Sequence, residues 1–350
     1  MYCCYNNACL IHIFYIKMPI KPLLTVLLIT YNHKDYIKKS IESVLEQKTD
    51  FNFVIKIIDD CSNDGTSDII KIYAKQYPQK IKHILRKKNL GVVDNIYQGL
   101  KSIKTPYFAE LEGDDYWCDE TKLQTAIDIL EQNKDCVMFA HNTRILENNR
   151  WKKNIIDPKN GISKHTDTKF KLTKNKAPVY LHFSSRVYRN IFDFSKLDKH
   201  IVAFDIGIYY LYLEKGFCYY YDKIMSVYNT NQNSFYNTKT TNQKEEIDFS
   251  VIQKLSMAFN YEYNKIFAEL LCNEALFKNI EKIYGREKVW DLYMNIKKIY
   301  DETPKSICIS HKIIFKIKSL LNRLRARLKI RTRVLRLINA TKTQSKINTD

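Results

Sequence analysis

The sequence predicts an α/β fold in which a mostly parallel central sheet is flanked by helices and followed by a helical C-terminal region. From Leu23 onward, short apolar runs rich in β-branched residues alternate with segments of helical periodicity. Hydrophobic residues make up 45% of the 350 residues and charged residues 27%, which is the balance of a globular chain. With only 8 glycines and 7 prolines, a collagen-like or low-complexity chain is excluded.

Strand and helix signals follow one another through the first half of the chain. Residues 23–29 form an almost uninterrupted apolar run, which is typical of a strand buried on both faces of a parallel sheet. Further strands are predicted at 53–58, 81–85, 107–111 and 137–140, and helices at 37–45, 67–77, 92–103 and 122–132. This alternation specifies βαβ units with right-handed crossovers.

The remainder of the chain is less regular. Residues 142–200 are predicted to be loop-rich, after which a helix at 204–214 and strands at 217–221 and 225–228 close the first domain. Residues 245–300 have a helical pattern, and Pro304 marks a boundary. The predicted divisions are an N-terminal extension at 1–22, the main α/β domain at 23–240, a helical region at 241–304 and a basic amphipathic helix and tail at 305–350. Met1 and Met18 are equally good candidates for the natural start.

The positive charge is concentrated at the C-terminus. The chain has a net charge of +19, and residues 311–350 contribute twelve basic residues and one acid, or +11. Ile and Leu recur at helical spacing from 314 to 338, interrupted by Arg331, which predicts an amphipathic helix with a basic face. Such a helix favours an anionic membrane surface as the partner of residues 311–338. Packing on the protein body is an alternative; nucleic acid is less favoured because no aromatic follows Phe315.

Cysteine usage and hydropathy predict where the protein resides. The nine cysteines include no CxxC pair, so reduced thiols of a cytosolic protein are expected. Residues 8–16 are a poor signal peptide, and no apolar run approaches the length of about 18 residues that a spanning helix needs. The prediction is a cytoplasmic protein, peripheral on the inner face of the plasma membrane.

Polar clusters follow four successive predicted strands. Each cluster alone is typical of a turn or a helix cap. In an open α/β sheet, however, ligands bind at the carboxyl ends of the strands, so four clusters there predict one site. The clusters are Thr30-Tyr31-Asn32, the acidic and polar run 59–66, Asn89-Leu90-Gly91 and Glu112-Gly113-Asp114-Asp115.

These motifs resemble the family 2 glycosyltransferases of GT-A (Rossmann-like) fold, which are inverting enzymes that use nucleotide-diphosphate sugars. The resemblance covers about residues 23–230 and has the form found among bacterial surface-polysaccharide enzymes. Residues 27–32 resemble the family's opening strand and Thr-Tyr-Asn turn, and residues 57–66 its aspartate-rich stretch, with Cys61 where Gly is usual. Residues 111–117 are similar to its metal-binding acidic turn.

The resemblance implies a hexosyl- or N-acetylhexosaminyl-transferase. Its expected partners are a nucleotide-diphosphate sugar donor, with UDP-sugar as the first expectation, and a saccharide or lipid-linked saccharide acceptor. Mn²⁺ or Mg²⁺ is the expected cofactor, because a hard cation neutralises the departing diphosphate. Tyr31 would stack on the base and Asp60 would accept its ring N–H, while Glu112 stands where the family usually has Asp. The implied donor-binding residues are Thr30, Tyr31, Asn32, Asp60, Asn89, Glu112, Asp114 and Asp115, with Asp114 and Asp115 as metal ligands.

Asp205 is the candidate general base, because inversion needs a carboxylate that removes the acceptor's hydroxyl proton. It resembles the family's base, which begins a helix after an acceptor-facing segment. A helix cap is the alternative role, and Asp193, Asp198 and Asp222 fit the spacing less well. Ser184-Ser185 resembles the family's small-residue turn that precedes the base. The family often has Arg and then His after its closing strand, where this chain has Asn229 and Asn231.

Two other functions are weighed against glycosyl transfer. A sugar-nucleotide nucleotidyltransferase also has a metal-bearing α/β fold, but its Gly-rich phosphate loop after the first strand is absent here. A basic membrane- or nucleic-acid-binding module with an inactive α/β domain is the alternative outside the enzymes. A Mn²⁺-dependent nucleotide site separates these possibilities, because the inactive module predicts none.

Overall fold

The computed structural model of the chain describes residues 21–154, 168–173 and 178–230, together with 251, 254–255, 258–260 and 262–263. Within them, ten strands form one sheet. The strands are β1 Leu24–Thr30, β2 Phe53–Asp59, β3 Ile81–Leu85, β4 Tyr107–Glu112, β5 Tyr116–Trp117, β6 Cys136–Glu147, β7 Arg150–Asn154, β8 Thr168–Phe170, β9 Val187–Arg189 and β10 Phe217–Thr230. The helices are α1 Lys34–Leu45, α2 Thr66–Gln76, α3 Val92–Lys101, α4 Lys122–Gln132, α5 Lys199–Val202 and α6 Asp205–Lys215.

The sheet has the strand order β3-β2-β1-β4-β9-β6-β10-β5, with β7 paired to β6 and β8 paired to β10. Strands β3, β2, β1 and β4 run parallel, as the alternation of strands and helices predicts, and β6 and β10 are also parallel. β9 is antiparallel to both β4 and β6 and joins these two parallel groups. The predicted mostly parallel central sheet is therefore confirmed.

Strand β1 lies in the middle of the core. All seven of its residues are buried, and successive side chains point to opposite faces of the sheet. On one face, Leu27 packs with apolar residues of α3 and α6. Val26 and Leu28 pack with residues of α1, α2 and α4 on the other. This double burial explains why the strand is an uninterrupted apolar run rather than an alternating one.

The closing part of the domain differs from the predicted elements. The strands predicted at 217–221 and 225–228 form one strand, β10, because register shifts near Ile224 keep it paired with β6. The segment predicted as loop-rich contains the end of β6, with β7, β8, β9 and α5. Each of these added elements is five residues or shorter, apart from the extension of β6. Elements so short carry no periodic signal, and pairing with neighbouring strands fixes β7, β8 and β9.

Several sequence predictions fall outside the described residues. They include nearly all of the N-terminal extension, most of the helical region 241–304 and the whole of 305–350. In the parts of the chain that are described, no helix has the length and apolarity needed to cross a membrane. Among the described residues, Cys61, Cys118, Cys136 and Cys218 are free cysteines.

Candidate active site

The carboxyl ends of β1, β2 and β4 lie side by side. The parallel register places Thr30 opposite Asp59 and Ile29 opposite Glu112. The polar residues after each strand are therefore brought to one edge of the sheet, where open α/β folds bind their ligands.

Hydrogen bonds hold the turns after β1 and β2 together. Asn32 adopts a left-handed backbone conformation, with φ of 55°. Its backbone N–H donates to Ser62 Oγ at 2.8 Å, and its Oδ1 accepts the Asn63 backbone N–H at 3.0 Å. Tyr31, directly before the anchored Asn32, is 44% exposed, so its ring is accessible at the edge of the site.

Asp60 anchors the loop between β3 and α3. Its buried carboxylate accepts the backbone N–H groups of Leu90 and Gly91, each at 2.9 Å, and lies 4.0 Å from Arg86 Nε. Asn89 Oδ1 also accepts the Gly91 N–H, at 2.8 Å. The structure thus brings Asp60 and Asn89 together through one loop, next to the turn that carries Tyr31.

The acidic turn after β4 packs tightly on the end of β1. A Cβ at Gly113 would lie 2.5 Å from Thr30 Oγ1 and 2.8 Å from His33 Nδ1, so only glycine allows this approach. Asp114 is buried beside the same imidazole, with its Oδ2 at 3.7 Å from His33 Nε2. The missing side chain at Gly113 therefore sets how close Glu112 and Asp114 come to β1.

Asp115 has one satisfied and one unsatisfied oxygen. The side chain is buried, and its Oδ1 accepts the Asn229 backbone N–H at 3.0 Å, which ties the acidic turn to β10. Its buried Oδ2 has no hydrogen-bond partner in the described residues and lies 3.7 Å from His182 Nδ1. Ligand atoms of Glu112, Asp115 and His182 all lie within 4.8 Å of one another, so these three residues could hold a metal ion.

Burial and neighbouring charges shift the pKa values of this cluster. Burial, with the negative charge of Asp114 next, raises the pKa of Glu112 to about 8 and that of Asp115 well above its usual range. Burial and the positive Arg186 lower the pKa of His182 to about 3, so its imidazole is neutral. A divalent cation would favour both carboxylates in their ionised form. Carboxylate oxygens are ligands that suit both of the expected ions, Mg²⁺ and Mn²⁺.

His182 was not identified from the sequence. It precedes a tight 3-10 turn at Phe183–Ser185, whose Ser184 carbonyl oxygen accepts from Lys122 Nζ at 2.6 Å and from Trp117 Nε1 at 3.0 Å. Its ring packs on Tyr228, with 4.3 Å between ring centres. The sequence feature that could have identified His182 is its position just before the Ser184-Ser185 pair, in a segment predicted to be irregular.

Asp205 is the first residue of α6. Its Oδ2 accepts the Tyr180 hydroxyl at 2.6 Å and lies 3.8 Å from Arg186 Nη2. The side chain is 35% exposed, so it is accessible from solvent. At Gly207, a Cβ would clash with the Ile201 carbonyl oxygen, so glycine lets the first turn of α6 pack on α5.

The three other candidate bases have structural partners. Asp193 accepts the Ser195 backbone N–H at 3.1 Å, and Asp198 caps α5 by accepting the His200 N–H at 2.8 Å. Asp222 accepts the Tyr220 hydroxyl at 2.8 Å. Asp205 is the one of these four whose negative charge acts on Glu112 of the acidic cluster and raises its pKa.

The family model for glycosyl transferase family 2 matches residues 25–192. The chain carries a glycosyl transferase family 2 domain. The matched region includes the strand ends and the acidic turn, together with Tyr180, His182 and Arg186. Asp205 follows the matched region in the same sheet-and-helix structure.

Relatives align with this glycosyltransferase domain over limited lengths. Uncharacterised proteins of Mycobacterium tuberculosis and Mycobacterium bovis are 26% identical over 224 residues, 63% of this chain and 63% of theirs. The putative teichuronic acid biosynthesis glycosyltransferase TuaG of Bacillus subtilis is 32% identical over 120 residues, 34% of this chain and 46% of that protein. The alignments thus span less than two thirds of these relatives.

Solved structures establish the GT-A fold of the glycosyltransferase domain. TarS 1–349 of S. aureus in complex with UDP has a TM-score of 0.58 and 17% identity, over 87% of each chain. The complex of the same protein with UDP-GlcNAc has a TM-score of 0.57, also at 17% identity and 87% of each chain. The predicted fold is confirmed.

Proposed function

We propose that this chain is an inverting, metal-dependent glycosyltransferase. It transfers a hexose or N-acetylhexosamine from a UDP-sugar to a surface-glycan or lipid-linked saccharide acceptor. The observation that carries the proposal is the buried Oδ2 of Asp115. It has no hydrogen-bond partner in the described part of the chain and faces His182 beside Glu112, at the carboxyl edge of the sheet in a family 2 domain.

The donor and acceptor classes have separate support. The names of the S. aureus structures include UDP and UDP-GlcNAc, and Tyr31 offers an accessible ring for a base at the loop that Asp60 anchors. The name of the Bacillus subtilis relative places it in teichuronic acid biosynthesis, which favours a cell-surface glycan as acceptor here too.

The chemistry follows from the residues at the sheet edge. Glu112, Asp115 and His182, with Asp114 beside them, would hold a divalent cation, which supplies positive charge for the departing diphosphate. Asp205 takes the proton of the acceptor hydroxyl as that oxygen attacks the anomeric carbon. The bond from this carbon to the diphosphate breaks on the opposite face, so the configuration is inverted.

The proposed place of action is the cytoplasmic face of the plasma membrane. The basic segment 311–338 would bind anionic headgroups and keep the domain near a lipid-linked acceptor. This part of the proposal depends on the sequence pattern alone.

Calorimetry of UDP binding with Mn²⁺ and with EDTA tests the proposal directly. We expect Mn²⁺-dependent UDP binding by the parent, loss of that dependence in Asp115→Asn, and parent behaviour in Asp128→Asn, a matched control on the exposed face of α4. The variant Asp114→Asn tests whether Asp114 is also a metal ligand, as the family resemblance implies.

The binding results distinguish the proposed glycosyltransferase from the two alternative functions. Equal UDP affinity of the parent with Mn²⁺ and with EDTA would exclude metal-dependent donor binding, and the absence of UDP binding would favour the inactive module. Formation of a nucleotide sugar from UTP and a sugar phosphate would identify a nucleotidyltransferase.

A further inference from the structure

The two contacts of the Asp205 carboxylate fall on one of its oxygens. Tyr180 donates its hydroxyl to Oδ2 at 2.6 Å, and Arg186 Nη2 lies 3.8 Å from the same atom. Oδ1 receives neither donor. The carboxylate is thus held asymmetrically, with one oxygen tied to the protein.

Arg186 is a rigid donor. The side chain is fully buried, and its Nε and Nη2 donate to the Leu181 carbonyl oxygen, the first at 3.0 Å. Its Nη1 donates to the Asp205 carbonyl oxygen at 2.6 Å, and its guanidinium lies 4.6 Å from the centre of the Tyr209 ring. Because a guanidinium stays charged and planar, this arrangement fixes both the backbone and the carboxylate of Asp205.

Other charged and titratable groups surround this pair. The groups that interact electrostatically with Asp205 are Glu110 and Glu112 of β4, Tyr188 of β9, Tyr228 of β10, and Tyr180 and Arg186 themselves. Among these groups, Tyr180 is the hydroxyl donor and Arg186 the fixed cation that lie against the Asp205 carboxylate, so they hold it in place.

We propose that Tyr180 and Arg186 are positioning residues that hold Oδ2 of Asp205, so that Oδ1 is the atom that accepts the proton. The proposal rests on the proposed function, in which Asp205 is the base. A fixed Oδ2 gives the carboxyl plane one orientation, which proton transfer from a bound hydroxyl requires. Tyr180 is the better residue to test, because it is 43% exposed and its hydroxyl can be removed without opening the core.

The experiment compares Tyr180→Phe with Tyr212→Phe in the full chain. Tyr212 is a matched control, since its hydroxyl lies on the same helix as Asp205 but donates to the Arg189 carbonyl oxygen at 2.8 Å.

UDP release from UDP-GlcNAc is followed with Mn²⁺ across pH. In Tyr180→Phe we expect kcat about tenfold lower with KM unchanged, because a hydrogen bond to a charged group is lost.

A second readout does not depend on turnover. In ¹³C-carboxyl NMR of the metal-free chain, the Asp205 resonance is identified by its absence in Asp205→Asn. At one fixed pH its chemical shift should differ from that of the parent in Tyr180→Phe, which loses the hydrogen bond to Oδ2, and should match the parent in Tyr212→Phe. An unchanged Asp205 chemical shift in Tyr180→Phe overturns the positioning proposal. A parent that shows the Asp205 resonance but neither UDP binding nor UDP release contradicts the proposed function instead.

Discussion

Three aspartates near one sheet edge have different partners. Asp59 is fully buried and accepts hydrogen bonds from the hydroxyls of Ser62 and Ser67, so it stabilises the β2–α2 turn. Asp60 accepts two backbone amides of the next loop. Among the described residues, Asp115 keeps one buried oxygen without a hydrogen-bond partner. Because a buried carboxylate is costly unless it is paired, this is the aspartate of the three that is open to an additional ligand such as a cation.

Asp205→Asn tests the base at the scale of one residue. Asparagine keeps the shape of the side chain and an oxygen for the Tyr180 hydroxyl, but it cannot take a proton. We expect turnover of UDP-GlcNAc to fall by about 10²–10⁴-fold, with UDP and Mn²⁺ affinity and melting temperature nearly unchanged. Asp222→Asn, which alters an exposed aspartate, is the control and should behave as the parent. Turnover within about threefold of the parent would exclude Asp205 as the base, because removal of a base costs far more.

Asp60→Asn tests the loop that borders the predicted nucleobase-binding site. Asparagine has one acceptor oxygen for the two amides of Leu90 and Gly91, so the loop should shift and donor binding should weaken. The expected loss of UDP binding free energy is about 1–3 kcal/mol, measured by calorimetry with Mn²⁺. Asp68→Asn is the control, since Asp68 is exposed and pairs with Lys71 on α2. Equal UDP affinity in parent and Asp60→Asn would remove Asp60 from the nucleotide site.

At the scale of elements, the 3-10 turn Phe183–Ser185 connects the acidic turn with the strand β9. Lys122 at the start of α4 and Trp117 of β5 both donate to Ser184, and Lys122 Nζ lies 3.9 Å from the centre of the Trp117 ring. The turn then continues into Arg186 and β9. One carbonyl oxygen thus links α4 and β5 to the segment that presents His182.

Lys122→Met tests how burial of the Lys122 amine affects the free energy of unfolding. Burial lowers the pKa of Lys122 well below its usual range, so between that value and about 10.5 the unfolded chain binds more protons than the folded one. The contribution of Lys122 to the free energy of unfolding therefore rises with pH. We expect the melting temperature of Lys122→Met, relative to the parent, to be highest near pH 6 and to fall toward pH 9.

Lys134→Met is the control, because Lys134 is exposed and pairs with Glu131. Its melting temperature relative to the parent should vary little over the same range. A constant difference between Lys122→Met and the parent from pH 6 to pH 9 would show that Lys122 is charged in the folded protein throughout.

Gly113→Ala tests the contact between β4 and β1. The new methyl group would lie 2.5 Å from Thr30 Oγ1, so the acidic turn must move away from β1. We expect a loss of about 1–3 kcal/mol in the free energy of unfolding, measured with urea, and weaker Mn²⁺ binding. Gln98→Ala, at an exposed position of α3, should preserve both. Full stability and Mn²⁺ affinity in Gly113→Ala would contradict this close packing.

At the scale of the whole molecule, the charge is divided between a mildly basic domain and a strongly basic C-terminal segment. Residues 311–350 carry +11 of the total +19. The candidate site residues all precede residue 230, so the proposed donor site and the proposed surface-binding segment can be altered independently.

Replacing Arg323, Arg325 and Arg327 with Gln tests the membrane prediction in the full chain. Each basic residue near an anionic surface contributes about 1 kcal/mol, so the three changes should weaken binding by about two orders of magnitude. Cosedimentation with phosphatidylserine-containing vesicles at physiological salt measures the effect, and UDP binding should remain at the parent level. Equal sedimentation of variant and parent would indicate that these three arginines do not contact the membrane.

The amino-acid sequence by itself determined the parallel part of the sheet and the family. The strands β1 to β4 and the helices α1 to α4 were predictable because burial on one or two faces leaves a periodic pattern in each segment. The motifs at Thr30, Asp60 and Asp114 carried the resemblance, since ligand-binding turns directly follow those strands.

Only the tertiary structure decided which residues complete the candidate site. His182 meets Asp115, and Tyr180 and Arg186 meet Asp205, through β9, a three-residue strand held between β4 and β6. A strand of three residues is too short to show a hydrophobic periodicity in the sequence. Its position depends on backbone hydrogen bonds to strands distant in the chain, and on the burial of Val187 and Tyr188 in the shared core.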